Sequence, residues 1–374
     1  MDTSATKVGS TQRHMDALSR ILFRGYSDDF CVPNTNLASI DPEIKYIAEL
    51  TDDGRSEFLR LANKHHVTVR ALQVLEKSEA VVSNAKLREW CGSALSQEQS
   101  RINHAVETLF PICRALEAAG SKAIVIKSLD HWPDLGSDLD LYTTGDQSTV
   151  VRVMDETFRA KPAERSWGDC LANKWNFVVP GLPELVEIHV RYLGQTGEQK
   201  AMADRMVDRR IFRTINGHSF YVPAPEHRVI ISTLQRMYRH FYFRLCDMAD
   251  FAALLKSRAI DFVELKNTAT IGGIWPGAAT FLLLVSEYVK AFGGDVEVPH
   301  EVLAFAYSKE IRVYLGGDFL RVPKKPAAWL YASQLMSAAR HVDLRAMGRL
   351  PLLPPLAVSA LVAFRLTGSD KGVW

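Results

Sequence analysis

The chain has 374 residues, long enough for two or three domains with a core each. Hydrophobic residues make up 47% and charged residues 24%, which excludes a disordered or fibrous protein and fits a globular one. Lysine plus arginine (45) nearly balances aspartate plus glutamate (43), so no overall field draws the chain to an anionic membrane or along a nucleic acid.

The polar N-terminus, MDTSATKVGSTQRH, has no apolar run of the kind a signal peptide needs, and its first residues read as disordered. The segment 1–54 is therefore taken as a partly disordered N-terminal region. The five cysteines, Cys31, Cys91, Cys113, Cys170 and Cys246, are scattered without C-x-x-C spacing. Neither a disulfide frame nor a zinc site is expected from them, and the expected compartment is the cytoplasm.

From Ser56 to Glu79 apolar residues recur at three- and four-residue spacing, which predicts one or two helices. His65 and His66 in "NKHHVT" read as surface or capping residues. A second block carries Ile102, Val106, Leu109, Ile112, Cys113 and Leu116 on one stripe and stops at Gly120, with Pro111 as a candidate kink. Together these make a helical region over 55–120.

The period then changes. "KAIVIKS" is a β-branched strand, "SDLDLYTT" alternates with period two, and "STVVRVMDETFRA" is helical again. "NKWNFVVP" and "ELVEIHVRYL" read as two strands joined by the turn "PGLP". The stretch 121–222 is thus a compact α/β core. Past Pro223 the pattern is helical, with "APEHRVIISTLQRMYRHFYFRLCDMADFAALLKS" as one long amphipathic helix in a domain over 223–345. The last segment, 346–374, contains "LPLLPPLAVSALVAF", which is too short and too proline-rich to span a bilayer. It reads as docked on the protein's own core, with membrane-surface or partner contact by 350–364 as the other reading.

Asp138 and Asp140 are two apart in a strand, so they project from the same face while Leu139 and Leu141 face the other way. Two adjacent carboxylates repel each other, and the usual remedy is a hard divalent cation such as Mg²⁺ or Mn²⁺. Glu187, flanked by Val186 and Ile188, supplies a third acid on the face shared with His189; Glu184 is the competing candidate. Three carboxylates on neighbouring strands suit metal-assisted phosphoryl displacement. Lys127 and Ser128 end the preceding strand, where an ammonium and a hydroxyl can meet a triphosphate. Arg228, Arg236 and Arg239 offer a basic patch for its tail, or a solvated helix face. Trp132 reads as aromatic packing or as a base-stacking surface.

This order of an apolar strand, a loop, D-h-D-h and a later strand acid resembles the DNA polymerase β-like nucleotidyltransferases, and more narrowly the bacterial uncharacterised nucleotidyltransferase family. In that family the strand reads L-K-G, the acids S-D-I-D-L and the third acid [DE]-L-H-W. Here the matching stretches are "VIKS", "GSDLDL" and "VEIHV". The likeness runs from about Arg55 to Pro299 and includes His240 followed by R-L and D-h-A. Ser128 stands for the family glycine, Val190 for its tryptophan, and "PDLG" replaces an arginine before the acids.

The resemblance implies an α/β (α+β) fold with a small mixed sheet flanked by helical N- and C-terminal regions. It implies transfer of a nucleotidyl group from an NTP, ATP being the expected co-substrate, with Asp138, Asp140 and Glu187 as catalytic metal ligands. Lys127, Ser128, Ser137, Arg239, His240 and Asp250 are the residues expected to contact nucleotide. The near-neutral charge points to a small-molecule, sugar or peptide acceptor. A kinase-like phosphotransferase on the same site and a non-catalytic nucleotide-binding scaffold are the rival readings.

Overall fold

The computed structural model describes residues 3–26, 33–34, 37–308 and 310–367, and Cys31 lies outside them. Helix α1 (Thr3–Arg24) begins inside the stretch that reads as disordered. From Met15 onward it buries Leu18, Ile21 and Leu22, and that docking supports helix propagation back through the polar end. Helices α2 (Asp41–Ala48), α3 (Asp52–Lys64), α4 (Thr68–Glu76) and α5 (Glu79–Val82) follow. Thr51 caps α3 by accepting from the Gly54 N–H at 3.2 Å, and the chain turns between α3 and α4 at His65 and His66. Helix α6 (Ala85–Ala118) runs through Pro111 without a break, and Gly120 ends it at φ +81°.

The α/β core holds β1 (Ala123–Val125), β2 (Asp138–Thr143), α7 (Gln147–Phe158), β3 (Lys161–Pro162), α8 (Trp167–Ala172), β4 (Lys174–Val178) and β5 (Leu185–Val190). Its five strands lie in the order β1-β2-β5-β4-β3. β2 and β5 are parallel, and the other pairings are antiparallel, so the sheet is mixed. Leu139, Leu141, Val186 and Ile188 are fully buried on one face, as period two requires. That packing turns the acids of β2 and β5 to the other face.

Helix α9 (Lys200–Asp208) and the hairpin β6 (Ile211–Ile215) and β7 (His218–Val222) lead to α10 (Pro225–Gln235). The long helix expected here is broken. A π-helical turn spans Arg236–His240, Phe241 is left-handed at φ +54°, and Tyr242–Phe243 form β8. β8 pairs with β10 (Phe319–Arg321), which pairs with β9 (Tyr314–Gly316). The break comes from pairing with a strand far along the chain, and no glycine or proline marks it. Helix α11 (Leu245–Lys256) then begins, so His240 and Asp250 sit on different elements.

Helices α12 (Phe262–Ile271), α13 (Trp275–Ala291), α14 (His300–Leu303), α15 (Lys324–Arg340), α16 (Leu344–Arg349) and α17 (Leu353–Thr367) complete the C-terminal part. One apolar core extends from Met15 to Leu330. Leu350 and Leu353 pack with Ala338 and Ala346 in a small separate cluster, whereas Val358, Val362 and Leu366 are exposed. Leu356 is buried as well, so among the described side chains the segment docks through its N-terminal part. Among the described residues no helix is long and apolar enough to cross a membrane.

Candidate active site

Parallel pairing of β2 with β5 sets Asp140 directly opposite Glu187 and Tyr142 opposite His189. Asp138 lies two residues nearer the strand start, opposite Leu185, and is the most exposed of the three acids. Asp138, Asp140 and Glu187 line one cleft of about 190 Å³ with Lys127, Ser128 and Ser137. The ligand atoms gathered within 4.8 Å of one another are those of Asp140, Glu187 and His189, with Asp138 standing beyond them at the rim. Partial burial raises the Asp138 carboxyl, and the charges of Asp140 and Glu187 raise it further. Among the described residues its carboxylate has one hydrogen-bond partner, the Ser137 hydroxyl, 3.3 Å from Oδ2. Glu184 is excluded from the cleft: it is buried and bonded to Arg101, which also holds the carbonyls of Leu135 and Gly136 at 3.2 and 3.4 Å.

Lys127 occupies a strained position. Its φ of +60° and ψ of −59°, with the Ser128 N–H donating to Ile126 O at 2.6 Å, form a γ-turn of the rare hand. The turn throws the Lys127 ammonium back over β2, where it pairs with Asp140 and lies 3.5 Å from Glu187. Burial disfavours that charge, but Asp140 and Glu187 more than compensate and raise the ammonium pKa. Ser128 is engaged in the fold. Its hydroxyl donates to Asp138 O at 3.1 Å and accepts from the Asp140 N–H at 2.7 Å, extending the ladder between β1 and β2.

Glu187 has partners that the sequence reading missed. Lys174, directly opposite His189 on β4, places its ammonium 2.7 Å from Glu187 and 3.0 Å from Asp169. His189 Nε2 is 2.9 Å from the other Glu187 oxygen. Burial would raise the Glu187 carboxyl, but Lys127, Lys174 and His189 outweigh it and hold the group well below the usual carboxylate range. The signal was a lysine in a strand with Trp175 and Phe177, "NKWNF", which once buried needs a counter-charge.

The facing wall is basic. It carries His66, His131, Gln235, Arg236, Arg239, His240, Tyr242 and Arg244. Arg236 is neutralised by Asp247 at 2.8 Å, whereas Arg239 forms no ion pair among the described residues. His240 is kept neutral, first by burial and then by Arg239, Arg236, Arg244 and Lys127 around it. Arg228 lies away from the cleft on Asp130 at 2.7 Å, and Trp132 packs against the core. Asp250 does not line the cleft. It is buried behind it, bonded to Arg70 at 2.6 Å and to His131 Nδ1 at 2.5 Å. Against the burial that would raise it, Arg70 and His131 hold its carboxyl at about 2.

The two turn histidines, read as surface or capping residues, are buried, and His65 is the C-cap of α3. His65 accepts from the Leu245 N–H at 2.9 Å and lies 2.7 Å from Asp318 O, and His66 faces the cleft. Gly136 permits that approach, since a Cβ there would come within 3.0 Å of the His66 ring.

Residues 52–290 match the family described as "uncharacterised nucleotidyltransferase". The chain belongs to that family. Searches of curated proteins and of solved structures gave no match. Family membership supports nucleotidyl transfer in general terms, and the matched span contains the whole cleft.

Proposed function

We propose that the chain is a divalent-metal-dependent nucleotidyltransferase that moves an NMP group from an NTP, ATP first among them, to a small-molecule, sugar or peptide acceptor. The observation that carries this reading is one cleft with three carboxylates on its sheet wall and, on the wall facing them, Arg239, a guanidinium with no ion pair among the described residues. The donor set fits a hard cation. It is all oxygen, and Asp138 forms no ion pair among the described residues, which leaves its carboxylate available to a cation. Asp138, Asp140 and Glu187 would hold Mg²⁺ or Mn²⁺, which when bound supplies charge neutralisation for the phosphates.

The chain's own residues account for the rest. Arg239, with Arg244 beside it, binds the triphosphate tail, and neutral His240 adds a hydrogen-bonding edge without further charge. Lys127 pairs with Asp140, Lys127 and Lys174 hold Glu187 ionised, and Ser128 fixes the start of β2. The acceptor oxygen or nitrogen forms a bond to the α-phosphorus as the α–β bridging P–O bond breaks. Pyrophosphate leaves with the electron pair, and the acceptor proton passes to the carboxylate wall. Most of the rate gain in such transfers comes from positioning and electrostatics. The near-balanced charge favours a compact acceptor over a long nucleic acid.

The test is ATP labelled separately at the α and γ phosphates, with Mg²⁺ and a metabolite extract as acceptor pool, and Asp138→Asn/Asp140→Asn as control. Transfer of α-label with pyrophosphate release, lost in the control, is the expected result. Transfer of γ-label alone would replace this reading with phosphotransfer. Absence of both labels from every product, for all four NTPs, would favour a non-catalytic nucleotide-binding scaffold.

A further inference from the structure

His66, His131 and Cys246 bring three potential ligand atoms within 4.8 Å of one another on the helical side of the cleft. They come from the α3–α4 turn, the 3-10 turn Ser128–His131 and the first turn of α11. All three are buried. We propose that they bind one zinc-class divalent ion, separate from any ion on the carboxylate wall, with a coordination position open to the cleft.

Geometry supports it first. Cys246 Sγ lies 3.7 Å from His131 Nε2. An ion about 2.3 Å from a thiolate and about 2.0–2.1 Å from an imidazole nitrogen, near the tetrahedral angle, separates those atoms by about 3.6 Å. His131 is already oriented as a metal-bound histidine usually is. Its Nδ1 is bonded to Asp250 at 2.5 Å, which turns Nε2 towards Cys246. Asp250 is fixed in turn by Arg70, whose guanidinium also holds the carbonyls of His131 and Trp132 at 3.0 and 3.1 Å.

The other two ligands are equally constrained. The Cys246 N–H donates to His65 O at 3.2 Å, and the Leu245 N–H donates to His65 Nδ1, so the start of α11 is tied to the histidine turn. His66 is left-handed at φ +52°, a strained conformation that aims its ring at the cleft. The one polar contact of its ring among the described residues is the long one from Arg244 to Nδ1, which an ion bound to the ring would replace, and Cys246 Sγ has only His131.

Thiolate and imidazole donors select a zinc-like ion over Mg²⁺. His66 and His131 line the cleft whereas Cys246 lies behind it, so the free position faces the substrate space. Three protein ligands with one open position is the pattern of a zinc site that takes water or a substrate group. Arg244, whose Nη1 is 3.4 Å from His66 Nδ1, forms no ion pair among the described residues, and the Cys246 thiolate formed on binding offsets its charge. That position would take water or an anionic substrate oxygen. This proposal does not depend on which phosphorus reacts at the carboxylate wall.

The experiment uses the full chain stripped of metal, then loaded with Zn²⁺ or Co²⁺ and measured by elemental analysis and absorption. We expect one ion retained per chain, tetrahedral cobalt bands and a thiolate-to-cobalt charge-transfer band. Cys246→Ser should lose the charge-transfer band, and Asp250→Asn should weaken binding roughly 10- to 100-fold. Asp138→Asn/Asp140→Asn should leave the bound ion in place. If Cys246→Ser fails to fold, the charge-transfer band of the unaltered chain still decides, because it requires a thiolate. No retained ion, an octahedral spectrum without that band, or an ion lost on changing Asp138 and Asp140 but kept without Cys246 would overturn the proposal.

Discussion

The wall of the cleft built from β2 and β5 comes from adjacent paired strands, whereas the wall facing it draws on the α3–α4 turn, the Ser128–His131 turn and the junction of α10 with α11. The sheet wall concentrates negative charge, and two buried ammonium groups, Lys127 and Lys174, compensate it. The helical wall concentrates positive charge and leaves Arg239 without an acidic partner among the described residues. A site that must neutralise charge on one side and attract it on the other gains from that division, because each wall needs a counter-charge that the substrate can bring.

The largest expected effect breaks the sheet wall. Asp138→Asn/Asp140→Asn should lower turnover roughly a thousandfold or more, as expected for groups that stabilise charge in phosphoryl-type transfer. Thermal melting separates this loss from unfolding. Asp138→Asn alone should not lower the melting temperature. Its carboxyl is raised in the fold, so its ionised form at neutral pH opposes folding and the amide removes that opposition.

Lys174→Met tests whether the sheet wall depends on its buried cation. Lys174 is 4% exposed and bridges Asp169 and Glu187, so its loss leaves two carboxylates short of a partner. Denaturant unfolding should show a loss of about 3 kcal/mol or more. A loss under about 1 kcal/mol would mean that Lys127 and His189 suffice for Glu187.

The helical wall has its own weak point at His65, which anchors α11 and β10 to the histidine turn. Burial is the main cause that pushes its pKa down to about 4, from an ordinary value of 6.5. A lowered histidine contributes stability that is complete above pH 6.5 and is lost as the pH falls towards 4, because the unfolded chain binds the proton first. The contribution is about 3 kcal/mol at most. His227, also brought to about 4 by burial, acts in the same window. Unfolding free energies at several pH values should therefore drop across it, and His65→Asn should flatten part of the drop, the rest coming from His227 and the other lowered histidines, His14, His66 and His240.

The smallest effect on the fold belongs to Arg239→Gln. With no ion pair to lose, stability should stay within about 0.5 kcal/mol. The KM for the nucleotide should rise roughly 10- to 100-fold, the worth of one charge-assisted hydrogen bond. An unchanged KM would move the triphosphate away from this wall and blur the division between the two.

The sequence by itself determined where the core strands run, the face on which Asp138 and Asp140 project, and the face that Glu187 shares with His189. All three follow from the period of a strand, in which the direction of a side chain is set by its own backbone and by apolar neighbours such as Val186 and Ile188. Only the tertiary structure decided which buried charges meet. Lys174 reaches Glu187 because β4 pairs with β5, and Asp250 lies behind His131 because α11 packs on the loop after β1. The break at Phe241 depends on a strand that comes only at Phe319. Those meetings join segments far apart in the chain, and no local spacing encodes them. Desolvation enforces them, since each buried charge is tolerated only where the fold delivers an opposite one.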